Sequence, residues 1–385
     1  MGLKIGIVGA GMGGLAAAAL LARRGHQVTL AERFETPRPL GSGLVVQPVG
    51  LAVLDDIGAG EQARDLAAHL RQMLGHAAGR VVLDVSYRPG APGLAMHRAS
   101  LFHVLWQAAL AAGVSLETGA AVIGHDAGIV RRQGAVDLGP FDLLVDASGA
   151  GSTLSPLVTR PLPFGAVWTS VPWPDTTLPD NQLTQRYFRA ERMAGVMPIG
   201  RMPGDTQPRA AVFWSLPVAA LDTWASVDFA DWKEEAILFW PTLSPFLAPL
   251  TAASDMTVAR YSHGSLARPH AEGIAFIGDA AYRASPQLGQ GANMALLDAR
   301  ALAMALEDGL DGALPRYAAM RRWHRRFYQG FSAMLTPMYQ SHSRILPVLR
   351  DVVLAPMGRM PPVNLLLTSL VSGDVLPPLA GKRWP

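Results

Sequence analysis

Three closely spaced glycines near the N-terminus form the part of this chain most suited to holding a phosphate. Gly9, Gly11 and Gly14 follow a short apolar run in the spacing GxGxxG, and Glu32 lies 18 residues beyond the third glycine. Such a turn lets a pyrophosphate approach the backbone, and the amides that open the next helix favour negative charge. An acid at the Glu32 position can accept hydrogen bonds from ribose hydroxyls. The spacing predicts a dinucleotide site, with a ligand-free glycine turn as the alternative.

A second group of residues suited to ligand chemistry lies far along the chain. Asp279 follows an apolar run at residues 273–277, and Gly289 and Gly291 come just before a long apolar helical pattern. An aspartate at a strand end can bind polyol hydroxyls, and amides at a helix start can stabilise a developing negative charge. A flavin needs both, because its ribityl chain carries hydroxyls and its N1–C2=O edge becomes anionic on reduction. The alternative is a helix cap followed by an ordinary turn.

These residues need a parallel α/β framework to position them. The apolar run at residues 3–8, an alanine-rich helix from about Gly14 to Arg24 and an apolar run at residues 28–31 form a strand–helix–strand pattern. We therefore predict a Rossmann-like (βαβ) unit that holds the glycine turn. The strand at residues 273–277 is expected to deliver Asp279 to the same framework.

Between the two motif regions the chain changes to short, alternating, aromatic-rich segments separated by proline and glycine. Period-2 alternation of this kind predicts an antiparallel sheet. The expected fold is α/β: an FAD-binding Rossmann-like domain, an inserted antiparallel-sheet substrate domain and a helical C-terminal region. The predicted limits are 1–160 plus 264–320 for the FAD-binding domain, 161–263 for the substrate domain and 321–385 for the C-terminal helical segment. Part of residues 75–95 is a candidate to join the substrate sheet.

Composition excludes several classes of function. The chain has no cysteine, which rules out disulfides, thiolate nucleophiles and cysteine-ligated metals. A net charge of +3 is too small an excess to indicate nucleic-acid binding. No spacing typical of metal ligands or of a nucleophile–histidine–acid group supports a metal site or a hydrolase. No apolar run reaches the ~18 residues of a membrane span, so we expect a cytoplasmic protein without one.

Four motifs resemble those of a known family in order and spacing. They are the glycine turn with Glu32, MHRASLFHVLWQAAL at 96–110, LLVDASGAGS at 143–152 and GDAAYRASPQLGQGAN at 278–293. Together they resemble the class A FAD-dependent aromatic hydroxylases, which are p-hydroxybenzoate hydroxylase-like flavoprotein monooxygenases, over roughly residues 3–330. The resemblance implies FAD as cofactor, NAD(P)H as reductant and O2 as co-substrate. It also implies hydroxylation of an aromatic or polycyclic small molecule through a flavin C4a-hydroperoxide.

The same resemblance implies roles for individual residues. Glu32 is expected at the adenosine ribose, Arg98 near the ribityl phosphate and Asp279 at the ribityl chain. Pro286 and residues 289–293 are expected along the isoalloxazine, with Pro286 also near the substrate. The full set predicted to bind FAD is Gly9, Ala10, Gly11, Gly13, Gly14, Glu32, Arg33, Arg98, Val122, Asp279, Pro286, Gly289, Gly291, Ala292 and Asn293.

The residues predicted to line the substrate cavity come mainly from the antiparallel sheet. Strand alternation would place Tyr187 and Arg189 on one face, where Arg189 could pair with a substrate carboxylate. Each candidate could equally be a core or sheet-surface residue. The predicted set is Gln47, Tyr187, Arg189, Met197, Trp214 and Pro286.

One motif departs from the family pattern. Where the family carries Asp-Gly, this chain has Ser148-Gly149 with Asp146 two residues earlier, and Ser155 stands where an arginine is expected. Either Asp146 takes over the role with a shifted backbone, or the binding of NAD(P)H is altered. Two further hypotheses therefore stay open: an FAD-dependent reductase or oxidase without oxygen insertion, and a non-catalytic flavin-binding protein.

Two C-terminal features leave alternatives open. Five arginines within residues 315–335 predict a solvated basic face, with a nicotinamide phosphate contact or an acidic partner as the alternative. The apolar, proline-rich tail at residues 346–381 could cover the substrate mouth, form a dimer contact or touch a membrane surface. The expected assembly is a monomer or a homodimer.

Overall fold

The computed structural model of the protein describes residues 2–35 and 43–380. Its strands are β1 (Lys4–Val8), β2 (Gln27–Ala31), β3 (Gly43–Val46), β4 (Ala68–Leu70), β5 (Gln72–Ala77), β6 (Arg80–Ser86), β7 (Gly93–His97), β8 (Ser115–Glu117), β9 (Val122–Asp126), β10 (Ile129–Arg132), β11 (Leu143–Asp146), β12 (Arg160–Pro172), β13 (Gln182–Phe188), β14 (Arg192–Pro198), β15 (Arg209–Pro217), β16 (Thr257–Ser265), β17 (His270–Ala271), β18 (Ile274–Phe276) and β19 (Tyr282–Arg283). Its helices are α1 (Met12–Arg23), α2 (Pro48–Asp56), α3 (Gly60–Leu66), α4 (Arg98–Ala111), α5 (Val218–Asp222), α6 (Phe229–Phe239), α7 (Ser244–Leu247), α8 (Gly291–Ala305), α9 (Ala313–Tyr339), α10 (Leu346–Leu349), α11 (Ala355–Gly358) and α12 (Pro361–Ser372). A π-helical turn, Arg350–Leu354, joins α10 to α11.

A six-stranded sheet in the order β17-β18-β11-β1-β2-β8 carries the glycine turn. Its described strands are parallel except for β17, which runs antiparallel to β18. Buried alanines in α1 let α4 and α8 pack closely against that helix. The parallel strands are covered on both faces, which is why their residues are mainly apolar. Helix α1 begins at Met12 rather than Gly14, and β18 is shorter than the predicted run at residues 273–277.

An eight-stranded sheet in the order β19-β16-β12-β15-β14-β13-β5-β6 forms the second layer. It is antiparallel apart from the β13–β5 pair, and the predicted contribution from residues 75–95 corresponds to β5 and β6. Helices α5 to α7 cover its distal face through a tryptophan-rich core. The smaller sheet has the order β3-β7-β4. Residues of β3 and β7 share a hydrophobic cluster with a residue of β14, so this sheet packs against the eight-stranded layer.

The C-terminal helices close the side of the molecule where the two sheets meet. Helix α9 packs along α8, and α10 to α12 are anchored to the eight-stranded sheet, where Thr368 Oγ1 donates to the Ser86 carbonyl at 2.9 Å. The predicted fold class is thereby confirmed, while the exact domain limits stay a prediction. Within the described ranges, no helix is both long and apolar enough to span a bilayer.

Candidate cofactor and substrate site

The glycine turn after β1 has the shape of a phosphate cradle. Gly9 has a φ of +100°, and a Cβ there would lie 2.6 Å from the Ser148 Cα. A Cβ on Gly14 would lie 2.0 Å from the Gly9 carbonyl oxygen, so neither position accepts a larger residue. Gly11, by contrast, is exposed, and α1 begins at Met12 without a side-chain cap, which leaves its first amides for a ligand. The residues present therefore fit a pyrophosphate.

Glu32 stands beside this turn at the end of β2. Its Oε2 accepts from the Ala10 amide at 2.8 Å and its Oε1 from the Phe34 amide at 3.2 Å. Each carboxylate oxygen keeps a free lone pair for a ribose hydroxyl. Arg33, the neighbouring predicted residue, is exposed and its guanidinium lies 4.6 Å from the Phe34 ring centroid.

Arg98 and Asp279 approach the same cleft from opposite elements. Arg98 is the first residue of α4, and Asp279 follows β18 in a turn in which Gly278 has a φ of +57°. Burial raises the pKa of Asp279, although the positive charges of Arg98 and Arg283 act to lower it. Burial lowers the pKa of Arg98, although the charge of Asp279 acts to raise it. Both side chains are nevertheless reached by water, as walls of a deep cleft would be. A polyol chain in this cleft would contact both.

A buried ion pair between Asp298 and Arg321 holds the turn that carries Asp279, and the sequence analysis did not predict this pair. Asp298 Oδ2 accepts from the Gly278 amide at 3.1 Å and from the Tyr282 hydroxyl at 2.8 Å. Its Oδ1 accepts from Arg321 Nε at 2.7 Å, and both charged side chains are buried. The sequence feature that could have predicted the pair is Asp298 itself, an acid within the otherwise apolar face of α8.

The start of α8 offers further free amides to the cleft. Gly289 has a φ of +60°, and Gly291 is exposed, with open space where a Cβ would lie. The helix has no side-chain cap, so the amides of Gly291 and Ala292 are left to a ligand. The Asn293 side chain does not face the cleft, because its Oδ1 accepts from the Gln47 amide at 2.8 Å.

Three further residues predicted to bind FAD, Gly13, Pro286 and Val122, lie in three different environments. Gly13 lies where α1 meets α8, and a Cβ there would be 3.2 Å from the Ala295 Cβ. Pro286 is exposed. Val122 packs beside the core of the six-stranded sheet, and its carbonyl accepts from Thr153 Oγ1 at 3.0 Å.

The middle motif is a self-contained set of hydrogen bonds. Asp146 is buried, and its Oδ1 accepts from the Ser148 amide and hydroxyl at 3.0 and 2.5 Å. Its Oδ2 accepts from Ser152 Oγ at 2.5 Å. Ser155 Oγ donates to the Ala280 carbonyl at 2.6 Å, which ties this loop to the Asp279 turn. Asp146 thus closes its own loop and does not point into the cleft.

Gln47 is the polar side chain of the predicted substrate set that the fold positions most firmly. It is buried, and its Oε1 accepts from the Tyr87 hydroxyl at 2.8 Å. Its Nε2 is buried without a partner, and a Cβ on Gly289 would lie 3.7 Å from it. Met197 packs nearby, its Cε 3.1 Å from where a Cβ on Gly43 would be. An unsatisfied donor therefore lies beside an apolar wall at the start of α8.

Two predicted substrate residues, Trp214 and Arg189, lie elsewhere, which corrects those expectations, whereas the role of Tyr187 stays a prediction. Trp214 faces the distal side of the sheet and packs edge-on to Trp232, because alternate residues of β15 point to opposite faces. Arg189 is exposed in the turn after β13, with a φ of +50°, so the strand alternation that paired it with Tyr187 has already ended. Tyr187 is buried, its ring 5.3 Å from the Tyr339 ring.

The arginines of α9 also differ from the expected solvated face. Arg321 and Arg325 are buried, and the latter donates through Nη2 to the Leu266 carbonyl at 3.0 Å. Arg322 and Arg326 are exposed. The helix thus has one structural and one solvated set of arginines.

Comparison with known proteins agrees with this site. The family model described as an FAD binding domain matches residues 3–134 and 167–322. A probable 2-heptyl-3-hydroxy-4(1H)-quinolone synthase of Rhodococcus erythropolis is 28% identical over 396 residues, covering 97% of this chain and 96% of that protein. Kynurenine 3-monooxygenase of Xanthomonas campestris is 30% identical over 357 residues, covering 82% of this chain and 75% of that protein. The structure of Klebsiella pneumoniae HpxO with FAD and uric acid has a TM-score of 0.81 at 20% identity, covering 97% and 98% of the two chains. The chain therefore belongs to the class A FAD-dependent aromatic hydroxylases, a family of flavoprotein monooxygenases.

Proposed function

We propose that this chain uses NAD(P)H and O2 to hydroxylate a neutral, lipophilic aromatic compound that carries an oxygen substituent on its ring, such as the C4 carbonyl of a 4(1H)-quinolone. The observation that carries this choice is the buried, unpartnered Gln47 Nε2 beside an apolar wall. A buried donor without a partner is unfavourable, and a substrate oxygen would satisfy it. The quinolone named for the Rhodococcus relative has such an oxygen. We further propose that the protein acts in the cytoplasm, as a monomer or homodimer.

The surroundings disfavour an anionic substrate. The arginine predicted to pair with a substrate carboxylate, Arg189, lies in an exposed turn. Arg350, a buried cation beside the sheet, donates to Asp351, and its guanidinium lies 5.0 Å from the Tyr187 ring centroid. A carboxylate placed against the wall formed by Met197 would lose hydration without gaining an opposite charge.

The residues of this chain would then have distinct tasks. When bound, FAD would take up hydride from NAD(P)H and activate O2. Gln47 would hold the substrate oxygen and orient the ring, while the apolar wall excludes water. The amides at Gly291 and Ala292 would stabilise negative charge at the flavin edge. Asp279 and Glu32 would bind the hydroxyls of the cofactor.

The proposal can be tested by following NAD(P)H and O2 consumption with the FAD-loaded protein. We expect 2-heptyl-4(1H)-quinolone to stimulate both and to gain one oxygen atom, whereas an anionic aromatic such as salicylate leaves consumption at the basal rate. Stimulation by the anionic compound alone would overturn the choice of substrate class. Reduction of an organic substrate without O2 uptake would favour the reductase hypothesis.

Replacing Gln47 with leucine should raise the KM for the substrate about tenfold, because one buried hydrogen bond is lost. We expect a smaller change in kcat and no change in FAD content. Tyr87→Phe is the matched control, since it removes the contact to Gln47 Oε1 and leaves the Nε2 donor. Equal KM values for Gln47→Leu and the unaltered protein would show that Gln47 does not contact the substrate.

A further inference from the structure

The C-terminal helices present a large apolar surface to solvent. Ten of the twenty exposed large hydrophobic residues in the described part of the chain fall between residues 345 and 366, so exposed apolar side chains are concentrated in this segment. We call this set the apolar C-terminal face; its members are Ile345, Val348, Leu349, Val352, Val353, Leu354, Met357, Met360, Leu365 and Leu366. Their exposed fractions run from 37% for Leu354 to 77% for Ile345.

The opposite side of these helices is fixed to the body of the protein by polar contacts. Arg350 is buried and donates through Nη1 to the Arg189 and Met338 carbonyls at 3.1 and 3.0 Å. At the edge of this side, Arg359 donates through Nη2 to the Val81 carbonyl at 3.1 Å and stays exposed to solvent. The outward direction of the apolar side chains therefore follows from how the helices are anchored.

The charges in this segment are suited to an anionic partner. Asp351 is the only acidic residue between positions 341 and 373, and its carboxylate accepts from Arg350 Nε at 2.6 Å. Arg344 and Arg359 are exposed at either end of the first helical stretch. The face thus combines apolar side chains with unneutralised positive charge.

A second copy of the chain fits this face poorly. A two-fold interface sets the same patch against itself, which would bring Arg344 and Arg359 together with their symmetry mates. Asp351 is already paired, so no free carboxylate of the segment would balance these charges. An anionic bilayer surface satisfies both properties, because apolar side chains enter the headgroup boundary while arginines meet phosphates.

We propose that the apolar C-terminal face binds the surface of an anionic lipid bilayer, with α10 to α12 lying in its plane. The face also borders the proposed substrate region. Val371, at the end of α12, packs with the cluster that contains Met197, and its carbonyl accepts from Gln290 Nε2 at 2.7 Å. If the proposed function holds, a lipophilic substrate would be taken up from the membrane beside the site.

Flotation of the FAD-loaded protein with vesicles tests this proposal without any turnover. We expect binding to phosphatidylcholine vesicles that contain phosphatidylglycerol, weaker binding to phosphatidylcholine alone, and a fall in binding as salt is raised. The triple variant Val348→Ser, Val352→Ser, Leu365→Ser should bind at least about tenfold more weakly, because buried apolar area is lost. Arg344→Gln should weaken the preference for anionic lipid.

The matched control changes two apolar residues elsewhere that are even more exposed, Val158→Ser and Leu238→Ser, and should bind as the unaltered protein does. FAD content reports that each variant is folded. Absence of vesicle binding, or equal binding by the triple variant, would overturn the proposal. Concentration-dependent dimerisation that the triple variant abolishes, in light scattering without lipid, would instead assign the face to a second copy. Vesicle binding can hold even where no hydroxylation is found, so the two proposals fail separately.

Discussion

Replacing Asp279 with alanine should yield a protein that purifies with little FAD and binds added FAD at least about tenfold more weakly. The carboxylate lies in the cleft between α4 and the Asp279 turn, where it can accept hydrogen bonds from two hydroxyls of a ribityl chain. Hydrogen bonds to a charged group contribute about 1.5–3 kcal/mol, and 1.4 kcal/mol is a tenfold change in Kd. The flavin-to-protein absorbance ratio and a titration of apoprotein measure the effect.

Asp279→Asn supplies the matched control for this variant. It keeps the size of the side chain and one acceptor oxygen, so it should retain an intermediate affinity for FAD. A similar unfolding temperature for both apoproteins would show that the turn itself is intact. Full FAD occupancy in the alanine variant would contradict the assigned role of Asp279.

The second large effect is expected from Arg321→Met. This change leaves the Asp298 carboxylate buried without its counter-charge, which costs about 3–5 kcal/mol of unfolding free energy. We expect a fall in Tm of about 4–6 °C, measured by thermal unfolding of the apoprotein, because a chain of 385 residues unfolds with an entropy of roughly 0.8 kcal/mol/K. An unchanged Tm would show that the buried pair contributes little.

Combining Arg321→Met with Asp298→Leu separates stability from positioning. The double variant has no buried unpaired charge, so most of the lost stability should return. It still lacks the acceptor for the Gly278 amide and the Tyr282 hydroxyl, so the Asp279 turn is no longer held from behind. FAD affinity should therefore stay low while Tm recovers. Recovery of both would mean that Asp298 has no positioning role.

The cofactor cradle could be predicted from the sequence because its constraints are local. The glycines at positions 9 and 14 are required by backbone shape, since Gly9 has a φ of +100° and a Cβ on Gly14 would lie 2.0 Å from the Gly9 carbonyl oxygen. Gly291 has open space where a Cβ would lie, so its place before an apolar helical pattern marked the helix start, and no contact requires a glycine there. Local spacing was therefore enough to identify a flavin as the ligand.

Other parts of the site depend on contacts that spacing does not encode. Both faces of the eight-stranded sheet are covered, so neighbouring residues of β15 such as Phe213 and Trp214 are both buried, and alternation could not tell which face Trp214 occupies. The charge partner of Arg321 lies 23 residues away on another helix, so a buried arginine looked like part of a solvated face. The position of Gln47 depends on Tyr87, which donates to its side-chain Oε1, and on Asn293, which accepts from its backbone amide.

The central claim is that this chain inserts oxygen from O2 into an aromatic substrate, and isotope labelling tests it most directly. The FAD-loaded protein would be incubated with NAD(P)H, 2-heptyl-4(1H)-quinolone and ¹⁸O2, and the product analysed by mass spectrometry. We predict one ¹⁸O atom in each product molecule. Product that carries no label, or that is reduced and forms equally well without O2, would contradict the account.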